Sequence, residues 1–88
     1  MKSGAYVVYL LRCRDGSYYC GYTLNLSKRL KAHRAGTGAK YTWAKRPVRL
    51  VYREQHATQR SAMRREIKIK KFSRKRKVEL IGRRARTR

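Results

Sequence analysis

The sequence predicts a small α+β domain with the element order β-β-α-β-α-α. Three observations carry that expectation. Two runs rich in valine, leucine and tyrosine, residues 6–13 and 17–23, flank an Asp15-Gly16 turn. Asn25, Thr58 and Ser73 each stand where a side-chain oxygen can cap the stretch that follows. A third strand-like run, Val48 to Glu54, follows Pro47 and separates the first helix from the other two. With 88 residues the chain makes one domain whose core is marginal, so most apolar positions must serve it.

The elements follow in order. Tyr6 to Cys13 reads as a strand buried on both faces. Ser17 to Thr23 is the returning strand, and the turn between them has two solutions. A two-residue Asp-Gly loop pairs Arg14 with Ser17 and sends Tyr9 and Tyr19 to opposite faces. A three-residue Arg14-Asp15-Gly16 loop, with Gly16 in the left-handed conformation, pairs Cys13 with Ser17. Tyr9 then lies opposite Gly21, Leu11 opposite Tyr19, and the two phenols share a face, with the small Gly21 leaving room for a ligand. Asp-Gly alone does not choose between these loops; the functional constellation below favours the bulged one.

Asn25 caps a helix from about Leu26 to Ala35, and Gly36 provides its left-handed exit. Ala39 to Arg46 reads as a basic loop. Thr58 caps a second helix through about Phe72, with Ala62, Met63, Glu66, Ile67 and Lys70 on its inward face. Ser73 caps a third through about Ile81, which Gly82 ends. The domain therefore spans 1–82, and 83–88 is expected to be a disordered basic tail.

Composition narrows the class of partner. Twenty-six Lys+Arg against four Asp+Glu give a net charge of +22, a self-repelling surface that a polyanion would relieve. Nucleic acid is the expected partner. No apolar run approaches the ~18 residues of a spanning helix, so no membrane role is expected. Met1-Lys2-Ser3-Gly4 is too short for a signal peptide. Cys13 and Cys20 point to opposite faces and, with His33 and His56, lack metal-finger spacing. Reduced thiols in a cytoplasmic, nucleoid-associated or equivalent reducing compartment are expected.

Five residues suggest chemistry. Tyr9 and Tyr19 lie on the hairpin. Arg29 and His33 stand one turn apart on a side that touches the Leu26/Leu30 stripe. Glu66 is the one acid among seven charged residues of its helix. Together they suit phosphodiester cleavage, in which attack of water needs a base and a phenol serves only if its pKa is lowered. Arg29 can stabilise the phosphorane. Glu66 can help hold one Mg²⁺ or Mn²⁺ ion with several waters.

The ordered pieces Tyr6-Val7-Val8-Tyr9, residues 15–23, Arg29-Leu30 with His33, residues 38–42 and 47–52, and residues 65–71 resemble a GIY-YIG nuclease domain, as found in small stand-alone bacterial members. The resemblance implies a three-stranded antiparallel sheet flanked by helices. It implies Tyr9 as general base or water-orienting group, and Tyr19 as a positioner of water and phosphate. It further implies Arg29 on the scissile phosphate, His33 assisting phosphate or proton transfer, and Glu66 on the single metal ion. Val7, Val8 and Cys20 are mild departures from the motif. Tyr22 stands where excision-repair members carry lysine, and their C-terminal asparagine has no counterpart, which bears on turnover.

Each residue has a plainer reading: tyrosines as core, Arg29 as solvated charge, His33 as helix face, Glu66 paired with Arg60 or Lys70. The ordered set favours function. Lys40, Tyr41, Trp43, Lys45 and Arg46, followed by Lys70 and Arg74, are the expected nucleic-acid contacts, with rings stacking bases and cations tracking phosphate. The expected protein is a metal-dependent endonuclease on single-stranded, branched or damaged DNA, monomeric or weakly dimeric. The alternative is a non-catalytic DNA- or RNA-binding clamp.

Overall fold

Val7 to Leu11 is apolar without alternation because β1 (Tyr6–Arg12) is the middle strand of a three-stranded antiparallel sheet, ordered β2-β1-β3. β2 spans Tyr18–Thr23 and β3 spans Arg49–His56. The computed structural model describes residues 5–86. The element order is the expected one with a short helix added: α1 (Leu26–Ala35), α2 (Lys40–Ala44), then β3, α3 (Gln59–Lys70) and α4 (Arg74–Arg86).

The hairpin takes the three-residue loop. The Cys13 amide donates to Ser17 O at 2.8 Å, the Gly16 amide to Cys13 O at 2.9 Å, and Gly16 has φ 88°. The register therefore pairs Tyr9 with Gly21 and Leu11 with Tyr19. On β3 a bulge leaves Val51 between the pairs Leu10–Tyr52 and Leu11–Leu50. Alternation then divides the core in two. Val8, Leu10, Cys20 and Tyr52 pack with Ala62 and Ile69 of α3 on one face, where Tyr6, Tyr18, Tyr22 and Phe72 join as packing residues. Tyr9, Leu11, Cys13 and Val48 pack with Leu26 and Leu30 of α1 on the other. The thiols sit on opposite faces and are free; burial raises both pKa values, that of Cys20 to about 12.

The Asn25 side chain caps α1 by accepting from the Lys28 amide at 3.0 Å, and Gly36 exits it at φ 89°. Both signals are local, and both are where the sequence puts them.

Three expectations need correction. Residues 40–44 form a helix rather than loop. Five residues cannot hold a helix alone; side-chain contacts to the hairpin and α1 hold this one. The inward face of α3 is Ala62, Arg65, Glu66 and Ile69, while Met63 and Ile67 are 42% and 51% exposed and Lys70 is exposed. Helical spacing from the buried Ala62 selects positions 65, 66 and 69, leaving the larger apolar side chains on the flank. Finally, α4 runs through Gly82 to Arg86, so residues 83–86 are not a disordered tail. Among the described residues, nothing beyond the helix's own neighbouring backbone stands within 4 Å of where a Gly82 Cβ would be, and one glycine costs only ~1 kcal/mol in a helix, too little to end it. Residues 87–88 lie outside the described residues.

Candidate active site

Hairpin register and α1 periodicity bring Tyr9, Tyr19 and His33 together. The Tyr9 and Tyr19 rings lie 6.4 Å apart, centre to centre, and those of Tyr19 and His33 5.2 Å. Tyr9 and His33 are 1% and 0% exposed, so both polar tips must find partners inside the protein. Tyr9 Oη lies 3.0 Å from His33 Nε2, and His33 Nδ1 lies 2.8 Å from Thr42 Oγ1. The Thr42 hydroxyl donates its one proton to Ala39 O at 3.1 Å. With its proton so used it accepts from His33, and this pattern assigns the ring proton to Nδ1. Neutral His33 then presents Nε2 as an acceptor, and Tyr9 donates to it. The chain of donors runs one way, from Tyr9 through His33 and Thr42 to Ala39.

Two glycines make this arrangement possible. A Cβ on Gly21 would stand 2.7 Å from Tyr9 Oη and 3.3 Å from Tyr19 Cε2. The room that Gly21 leaves is thus filled by the Tyr9 hydroxyl and not kept for a ligand. A Cβ on Gly38 would stand 2.5 Å from His33 Nδ1. The α1–α2 connection therefore presses backbone against one side of the imidazole while Thr42 holds its end. Thr42 and Gly38 hold His33 in place, and the sequence reading assigns neither a role.

Burial, then the neighbouring Tyr19, raises the Tyr9 pKa far above the ordinary 10.0; Arg29 opposes the rise and Glu66 adds to it. Burial, then the Arg29 charge, lowers that of His33. Arg29 bears electrostatically on both Tyr9 and His33, Glu66 on Tyr9 alone, and with Tyr19 they are half-buried. Arg29 also borders a cavity of about 290 Å³ with Thr23, Asn25, Lys28, Ala32, Thr37 and Gly38. Glu66 pairs with Lys70 at a loose 3.6 Å and makes no side-chain hydrogen bond among the described residues. Among the described residues, no group of three or more His, Cys, Asp and Glu side chains gathers there. A lone, lightly partnered carboxylate suits a hard cation that keeps most of its waters, Mg²⁺ or Mn²⁺, and not a closed zinc cage.

The seven expected nucleic-acid contacts divide. Lys45 pairs with Asp15 at 2.6 Å and lies over the Tyr41 ring, which stacks on Tyr19 at 5.9 Å. The Tyr41 hydroxyl donates to Ser17 Oγ at 2.8 Å, and Ser17 to Asp15. These contacts clip α2 to the hairpin loop. Arg46 donates to Trp43 O at 3.0 Å, Arg74 to Gly16 O at 2.7 Å, and Lys70 is the partner of Glu66. Lys40 and Trp43 project from α2 with no side-chain hydrogen bond or ion pair among the described residues, Trp43 being 57% exposed and so no core residue.

A family model described as the GIY-YIG catalytic domain matches residues 5–79. A UPF0213 protein of Staphylococcus haemolyticus is 51% identical over 74 residues, covering 84% of this chain and 90% of the relative. One from Bacillus licheniformis is 52% identical over 81 residues, covering 92% and 84%. Among solved structures, the solution NMR structure of a UPF0213 protein from Bacillus halodurans shares 43% identity with a TM-score of 0.58, covering 88% of this chain and 82% of that one. That of a protein from E. faecalis shares 39% with a TM-score of 0.62, covering 93% and 85%.

Proposed function

The chain belongs to the GIY-YIG family, and from that membership we propose that it is a divalent-metal-dependent endonuclease hydrolysing DNA phosphodiesters. Single-stranded, branched or damaged DNA is the proposed substrate. The observation that carries the reading is the buried Tyr9–His33–Thr42 chain beside Tyr19 and Arg29.

A buried phenol with a raised pKa is not a phenolate, so Tyr9 can take a proton from water only while giving up its own. His33 Nε2 is the acceptor already in place. In the proposed step the water oxygen bonds phosphorus as its proton passes to Tyr9 and the Tyr9 proton passes to Nε2. The bond to the leaving oxygen breaks, and solvent protonates that oxygen. Tyr19 orients the water and Arg29 binds the phosphate oxygens whose charge grows. Glu66 would hold the divalent ion, which supplies Lewis acidity when bound.

The test is incubation of the protein with labelled single-stranded, duplex and branched DNA and with RNA, in Mg²⁺, Mn²⁺ or EDTA. Cleavage of DNA that EDTA stops is expected. Glu66→Ala and Tyr9→Phe should abolish it while binding persists. Metal-independent cleavage, or variants as active as the parent, would sink the mechanism. Binding without cleavage of any substrate would leave the non-catalytic clamp.

A further inference from the structure

The pairing of β1 with β3 sets Arg12 directly opposite Arg49. Like charges in that position repel, and a fold keeps them only at a cost in stability. Arg14 joins them from the hairpin loop. With Cys13, Pro47 and Val48 the three arginines line a cavity of about 260 Å³, several times the ~30 Å³ share of one water. All three are exposed, and none has an ion pair among the described residues. A fourth cation is close: the Arg12 and Arg74 Nη2 atoms stand 3.8 and 3.9 Å from where a Gly16 Cβ would be. The neighbouring acid, Asp15, is already committed to Ser17 and Lys45.

We propose that Arg12, Arg14 and Arg49 form a phosphate-binding site for nucleic-acid backbone, separate from the Tyr9 centre. One phosphodiester between the guanidinium groups turns their repulsion into charge-assisted, bidentate hydrogen bonding. The buried Cys13 and Val48 give the cavity an apolar floor, against which the field of the arginines is focused outward. Arg12 lies three residues along β1 from Tyr9, about 10 Å at the rise of a strand. A bound strand would be held here away from any phosphate at Arg29. The site depends on strand pairing and charge, and stands whether or not the centre cleaves.

Anisotropy titrations of a labelled single-stranded oligonucleotide in EDTA, across a range of salt concentrations, test it without reading cleavage. Arg12→Gln/Arg49→Gln should weaken binding and reduce the slope of log Kd against log salt by about 0.7–1.4, the loss of one or two phosphate contacts on a single strand. The same variant, without DNA, should unfold at a higher temperature than the parent. Arg60→Gln/Arg64→Gln, which removes two exposed charges from α3, should leave the slope closer to that of the parent. A parental slope in the first variant, an equal loss in the second, or a lowered unfolding temperature in the first overturns the site. Inorganic phosphate should raise the parent's unfolding temperature less than the oligonucleotide does at matched phosphate concentration; equal protection overturns the nucleic-acid assignment.

Discussion

Thr42→Val removes one hydroxyl from the buried chain and keeps the shape of the side chain. Two partners lose by it. His33 Nδ1–H loses its acceptor at 2.8 Å, and Ala39 O loses a donor at 3.1 Å. Leaving a buried donor unpaired costs ~1–3 kcal/mol. For a domain of this size, each kcal/mol lowers the unfolding temperature by ~4–8 °C. The ring can escape the penalty by moving its proton to Nε2, but it then confronts Tyr9 with a donor and cannot receive the Tyr9 proton. A proton transfer of this kind contributes ~10²–10⁴ in rate, so kcat should fall by about 10²-fold while KM changes little, because Thr42 does not face the substrate. Nitrogen-15 spectra of the imidazole read the tautomer directly: the parent should show Nδ1–H, and Thr42→Val a shift toward Nε2–H. Thr42→Ser should restore all three readouts. A Thr42→Val protein with parental stability, an unchanged Nδ1–H tautomer and full activity would refute the directed chain.

Gly38→Ala places a methyl 2.5 Å from His33 Nδ1, too close for any rotamer to relieve, because the obstruction begins at Cβ. Overpacking of this kind costs ~1–3 kcal/mol, and thermal unfolding together with a displaced His33 resonance should report it. Stability should also depend on pH through His33. Its folded pKa lies below the ordinary 6.5, so its contribution is fully present above pH 6.5 and is lost as pH falls through the folded value. Denaturant midpoints measured from pH 7 downward should decline, and His33→Gln should flatten the part of the decline that begins just below pH 6.5. Tyr9 gives the opposite limb: its folded pKa is raised, so its contribution is present below pH 10 and is lost as pH rises through the folded value.

Features set by neighbouring residues were legible in the sequence. Asn25 and Thr58 cap their helices because the side chain and the amide it accepts from are three residues apart, and Gly16 and Gly36 take the left-handed conformations their turns need. The hairpin register was legible up to the choice between two turns. Helix α2 was not, because Tyr41, Thr42 and Lys45 find their partners on the hairpin and α1. The α3 face was misread because Met63 and Ile67 are apolar and well spaced, yet the helix turns Ala62 and Ile69 inward. Gly38 and Thr42 belong to a segment that carries the family resemblance, but their role was not legible for a related reason: each touches His33, and neither lies at a helical or strand period from it. Charge is the least legible feature. Lys40, Lys45 and Arg46 look alike in sequence, but only a structure separates the cation that clips two elements together from one that projects freely.

The scarcity of acids explains how those cations are divided. Asp15 joins the hairpin loop to Lys45 just beyond α2. Glu54 on β3 accepts from Tyr52, from His56 at 2.7 Å and from Arg65 of α3 at 2.8 Å, fastening sheet to helix. Glu79 borders a cavity among Arg65, Arg76 and Arg83. These three acids stand where elements meet, and Glu66 pairs only loosely with Lys70 of its own helix. Four acids cannot neutralise twenty-six cations, so most positive charge stays uncompensated in the free protein. A ligand that binds the folded state and not the unfolded one adds to stability in proportion to the logarithm of its concentration over Kd. Nucleic acid held by the folded arrangement of cations would therefore stabilise the domain as well as serve as its substrate. The cost of self-repulsion falls on the free protein and is relieved where the protein acts.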